Sequence, residues 1–106
     1  MKSSDEQLAE ELKSRLRASG IPLARLIVYG SRARGDAGAE SDFDVLVLVD
    51  TLTKEMRRTI SDCAWEVGFD AGVVITPVVM TREEAEESPE RSSLFMVSVR
   101  KEGIPV

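Results

Sequence analysis

The sequence predicts a small α/β fold in the order helix, strand, turn, strand, helix, strand, helix. Three observations predict it. Leu8, Leu12 and Leu16 recur every fourth residue, the spacing of a helix with one apolar stripe. Short apolar runs at 23–29, 43–49 and 73–80 have strand length. Between them stand caps and breakers: Gly20 and Pro22, the glycines at 30, 35 and 38, Thr53 and Gly68.

Each element has its own justification. Ser3 with Glu6, or Ser4 with Gln7, fits a capping box at the start of the first helix, and Gly20 and Pro22 stop it. In the second strand Phe43, Val45, Val47 and Val49 face one way; Asp42, Asp44, Leu46 and Leu48 face the other. Apolar residues on both faces mean a strand covered on both sides, with the two aspartates at its solvent-reaching end. Thr53 caps the next helix, Met56, Ile60, Ala64 and Val67 line its inner face, and Gly68 ends it. Trp65 is expected at its margin. Pro77 lacks an N–H, which places the third strand at a sheet edge or at a bulge. Thr81 and Glu84 form a second capping box. Ser88-Pro89 would start a last helix, although 92–100 also suits a strand. The acidic cluster at 83, 84, 86, 87 and 90 is expected to be a solvated face.

A chain of 106 residues is expected to form one domain, 1–106, with a modest core. One cysteine and no histidine exclude a disulfide framework, a Cys/His zinc site and the Ser–His and Cys–His nucleophile pairs. Cys63 falls in a helical pattern and is expected in the core. No stretch is long enough to span a bilayer, and the charged opening MKSSDEQLAEEL is unlike a signal peptide, so a cytoplasmic location with no membrane partner is expected. The net charge of −5 argues against direct nucleic-acid binding. A basic spot remains at Arg25, Arg32 and Arg34, of which Arg25 is expected to be plain surface.

The stretch 28–44, VYGSRARGDAGAESDFD, carries the chemistry. A strand ending in Gly30-Ser31 lets backbone approach an anion, and a helix starting at Ser31 would aim free N–H groups at it. Asp42 and Asp44 are two apart on a strand, so both carboxylates project from one face. Paired hard oxygen ligands beside a phosphate pocket suit Mg²⁺. The pattern predicts a nucleoside triphosphate site with metal. Arg32 and Arg34 fit either a phosphate contact or surface charge.

GSRARG at 30–35 followed by SDFD at 41–44 resembles the signature of the minimal nucleotidyltransferases, in the polymerase-β-like superfamily. The resemblance implies a small mixed β-sheet with flanking helices. It implies Gly30 and Ser31 on the β- and γ-phosphates, Asp42 and Asp44 as catalytic ligands of Mg²⁺, and Arg32 and Arg34 supporting the nucleotide. The implied activity is transfer of a nucleoside monophosphate, AMP from ATP, to a hydroxyl. Small members of the family are often antitoxins paired with a HEPN-domain toxin, so a small helical protein is the implied partner. Neutralising that partner by contact alone is the alternative, as is a subunit whose partner completes a small-molecule site. Homo-oligomers are left open.

The family usually carries a third carboxylate on the next strand. Residues 73–80 hold none, and Asp70 lies upstream of an aligned position. Phosphate and single-metal binding need only the residues present. Slow or absent transfer by the isolated chain is therefore expected.

Overall fold

The computed structural model describes residues 1–36, 38, 40–87 and 90–106, with side chains at all of these except 90–93. Three helices and three strands fall close to where periodicity placed them: α1 Ser3–Ala18, β1 Leu23–Tyr29, β2 Phe43–Val49, α3 Lys54–Ala71, β3 Ile75–Thr81 and α5 Glu90–Glu102. Two short helices, α2 Ser31–Arg34 and α4 Arg82–Glu86, and a two-residue strand, β4 Ile104–Pro105, complete the order. The segment that suited either helix or strand is helical within α5. The expected Ser88-Pro89 start of that helix lies outside the described residues.

One mixed sheet has the order β3-β2-β1-β4. β1 pairs antiparallel with β2 and β4, and β2 pairs parallel with β3. The parallel pair needs a crossover, which α3 supplies. Pro77 sits on edge strand β3, where its missing N–H costs the ladder nothing. β4 was not legible beforehand: two residues carry no period, and only their pairing with Ile27 and Val28 makes them a strand.

The sheet is covered on both faces. Phe43, Val45, Val47 and Val49 join Leu26, Val28 and Ile75 against α1 and α3. Leu46 and Leu48 pack with Ala85, Met96 and Val99 of α4 and α5. Each fully buried side chain of this size contributes about 1.5–3 kcal/mol. Leu8, Leu12 and Leu16 form the buried stripe of α1, and Cys63 is buried in α3.

Three local expectations change. Lys2, not a serine, occupies the N-cap of α1, and it makes no side-chain cap bond. Its carbonyl instead accepts from Asp5 N–H and Glu6 N–H, at 3.0 Å each. Gly68 lies inside α3, and Gly72 ends the helix in the left-handed conformation, φ 71°. Gly68 is required for another reason: a Cβ there would collide with the Val73 carbonyl, where the chain folds back toward β3. Trp65 is no margin residue; it is 66% exposed and stacks on Phe69. The Thr53 cap and the Thr81–Glu84 capping box form as expected.

Candidate functional site

β1 delivers the chain to Gly30, which stands between the strand and α2 with φ 75° and ψ −156°. Only glycine occupies that region without strain. Space demands glycine too: a Cβ at position 30 would lie 2.7 Å from Oδ2 of Asp44. The two halves of the motif are therefore in direct contact, Gly30 backbone against Asp44 carboxylate. Gly30→Val forces a left-handed side chain into Asp44 and is expected to destabilise the fold.

Asp44 lies on β2 between two in-register neighbours, Tyr29 of β1 and Thr76 of β3. Directly paired residues point to the same face. Asp42 is exposed just before the strand, whose first N–H, from Phe43, donates to the Val74 carbonyl at 2.8 Å. Burial, then the negative charge of Asp42, raises the Asp44 carboxyl above its ordinary value. Burial and the Asp44 charge likewise raise the Tyr29 phenol. The Tyr29 ring meets Phe95 of α5 edge-on at 5.3 Å, forming an aromatic wall beside the carboxylates.

The arginines behave differently from each other. Arg32 is 8% exposed and turns inward. Its Nη1 donates to Asp5 Oδ1 at 3.0 Å and its Nη2 to the Ser41 carbonyl at 2.7 Å. It thereby ties α1 to the loop that presents Asp42. Asp5 was missed beforehand. Its signal was there: it stands three residues before Leu8 on the apolar stripe of α1, where a charge needs a partner. Arg34 is exposed and donates to Asp36 at 3.1 Å and to Glu102 at 3.0 Å, which joins α2 to the end of α5. These two hydrogen bonds, Asp36 first, raise its pKa.

Two tests follow. Arg32→Ala leaves the Asp5 carboxylate buried and alone, and urea unfolding is expected to show a loss of about 3–5 kcal/mol. Native stability with lost ATP binding would instead make Arg32 a phosphate ligand. For Asp44, the folded state holds the proton more tightly than the unfolded chain does. Its favourable term is complete below the unfolded pKa and is lost as pH rises through the folded one. In EDTA at neutral pH, Asp44→Asn is therefore expected to raise Tm by a few degrees, the gain fading at acid pH. A lower Tm at neutral pH would contradict this.

Asp70 does not supply a third carboxylate. It lies in the last turn of α3 and lines a cavity against α1 with Ser4, Gln7 and Glu11. No cluster of three acidic, Cys or His side chains suited to a metal exists among the described residues. The 480 Å³ cavity, between α3 and β3, shares no lining residue with the Gly30–Asp44 site. Arg25 is exposed, on another part of the surface. No described helix is long and apolar enough to cross a membrane.

A mixed sheet with a Gly-Ser turn and an Asp-x-Asp pair meeting at adjacent strand ends defines a phosphate-handling transfer domain. The chain belongs to the nucleotidyltransferase domain family, whose model matches residues 5–101. A Methanocaldococcus jannaschii relative named "Putative protein adenylyltransferase" is 38% identical over 58 residues, which are 54% of this chain and 59% of that protein. The match thus spans less than two thirds of the relative's length. Among solved structures, a toxin–antitoxin complex with AMP-PNP superposes with TM-score 0.67 at 19% identity, covering 92% of this chain and 70% of that one. A tri-AMPylated Shewanella oneidensis HEPN toxin in complex with its MNT antitoxin gives TM-score 0.61 at 17% identity, covering 95% and 70%. These two likenesses are of fold.

Proposed function

We propose that residues 1–106 act as one cytoplasmic nucleotidyltransferase unit that moves AMP from ATP to a hydroxyl of a helical, HEPN-type partner protein. The observation that carries this reading is the closeness of Gly30 to Asp44, so near that a Cβ at position 30 would collide with the carboxylate. The names of the relatives, an adenylyltransferase and antitoxins of HEPN toxins, support the choice of nucleotide and partner.

Gly30 and Ser31 would hold the β- and γ-phosphates, with no side chain at position 30 to exclude them. Asp42 and Asp44 would hold Mg²⁺. The residues fit a divalent ion: two oxygen donors share one face, and the Asp44 carboxyl already carries an unfavourable charge that a cation would offset. When bound, the metal supplies neutralisation of the triphosphate and a lowered pKa for the attacking hydroxyl. The acceptor oxygen forms a bond to the α-phosphorus, the bond to pyrophosphate breaks, and the hydroxyl proton leaves to solvent or a nearby base. Arg32 fixes the Asp42 loop, and Arg34, braced by Asp36 and Glu102, edges the phosphates. Tyr29 and Phe95 wall one side of the carboxylates.

A specific observation favours a second reading, in which the chain neutralises its partner by complex formation with little turnover. Thr76 occupies the register position beside Asp44, on the strand where the resemblance implies a third carboxylate that this chain lacks. Incubating the chain with a co-expressed helical partner and α-labelled ATP tests both. Label on the partner is the expected result for transfer. A stable complex with the partner and no label supports the second reading; absence of metal-dependent ATP binding sinks the first, and failure to bind the partner sinks the second.

A further inference from the structure

An exposed aromatic pair stands on α3, at the rim of the cavity between α3 and β3. Trp65 and Phe69 stack in parallel, ring centroids 5.0 Å apart, and they are 66% and 70% exposed. Val74, also 66% exposed, extends the apolar patch across to edge strand β3. A contiguous exposed patch of this kind marks an interaction surface. It lies on the side of the sheet away from the face that carries Asp44, so the metal and phosphate residues do not account for it.

The same stripe of α3 carries two exposed cations. At 100° per residue, Lys54, Arg58, Trp65 and Phe69 fall within about 60° of one another, with Ser61 and Asp62 between the pairs. The spacing is symmetric about the point between residues 61 and 62. Arg58 and Trp65 lie equally far on either side of it, and so do Lys54 and Phe69. Both cations are exposed, and none of the ion pairs found among the described residues engages them. Arg58 and Asp62 stand four apart without pairing to each other.

We propose that α3 is a homodimer interface, in which a second copy of this chain packs its α3 antiparallel across a two-fold axis at Ser61–Asp62. A two-fold axis there sets Arg58 of each copy over Trp65 of the other, and Lys54 over Phe69. Cations favour the faces of aromatic rings. One patch serves both copies, as an isologous interface requires. Ser61 is small enough to let the helices approach at the crossing, and Asp62 comes within reach of the second copy's Arg58. The two Asp42–Asp44 sites then face outward, open to acceptors. This inference stands independently of the activity proposed for that site.

Sedimentation equilibrium of the full chain is expected to show a concentration-dependent species of twice the 11.7 kDa monomer mass. Trp65→Ser is expected to raise the dissociation constant at least about 30-fold, with the circular-dichroism spectrum unchanged. Register is tested by cross-linking in a Cys63→Ala background. Ser61→Cys, beside the axis, is expected to oxidise to a disulfide dimer. Lys54→Cys alone is not, but it is expected to cross-link when mixed with Phe69→Cys. A chain that stays monomeric at all concentrations overturns the proposal. So does a dimer indifferent to Trp65→Ser, or one in which Ser61→Cys fails to cross-link. A monomer whose Trp65 becomes protected only by a helical partner also overturns it, assigning the patch to that partner.

Discussion

Thr76→Asp is expected to raise AMP transfer by about 10²–10⁴-fold, the range that one positioned base contributes. The register makes this prediction sharp. Thr76 pairs with Asp44 across the parallel β2–β3 ladder, it is exposed, and its side chain shares the face of Asp44. Mg²⁺ held as proposed by two aspartates would draw the rest of its charge balance from the triphosphate, and β3 offers no carboxylate to take the acceptor proton. A carboxylate at position 76 supplies both a ligand and a base. The neighbouring substitution is the control. Ile75 is 8% exposed and points into the core beneath α3. Ile75→Asp buries an unpaired carboxylate, which costs several kcal/mol and leaves little folded protein. Of the two positions, the pairing with Asp44 selects Thr76. Rates from α-labelled ATP decide the matter. Equal, fast labelling by the unmodified chain and by Thr76→Asp would show that the position needs no carboxylate.

Asp42→Ala and Asp44→Ala are each expected to lower Mg²⁺- or Mn²⁺-dependent ATP affinity by at least about 100-fold, because each removes a charged oxygen ligand. Calorimetry with and without metal measures this. The two variants part company in metal-free stability. Asp44 is partly buried and repelled by Asp42, so neutralising it relieves the fold, whereas Asp42 is exposed. A chain that binds ATP equally well in EDTA would falsify the metal assignment for both residues.

Folding stability and metal binding thus pull in opposite directions at Asp44. Burial, and after it the negative charge of Asp42, raises this carboxyl. Metal with nucleotide is expected to raise Tm in the unmodified chain and to leave Asp44→Asn unchanged. Arg32 explains how the tension is tolerated. Its bonds to Asp5 and Ser41 anchor the Asp42 loop from behind, so repulsion between the carboxylates does not splay the turn.

Much of this protein was legible in its order of residues. Periodicity located α1, β1, β2 and α3, because an apolar stripe or run must find the core whatever surrounds it. Gly30-Ser31 and Asp42-x-Asp44 stand out in the sequence as a pair, and the antiparallel β1–β2 pairing brings them to adjacent strand ends. Tertiary structure alone decided the rest. Arg32 and Arg34 are the same residue type two positions apart, yet one is buried on Asp5 and the other exposed beside Glu102. Their partners come from helices 27 and 68 residues away in the chain, beyond any local pattern. Gly68 has the composition of a helix stop but serves as a packing gap, because the carbonyl it accommodates belongs to the returning chain. Thr76 acquires meaning only from the strand beside it. Strand register is a property of two segments at once, and neither segment's sequence contains it.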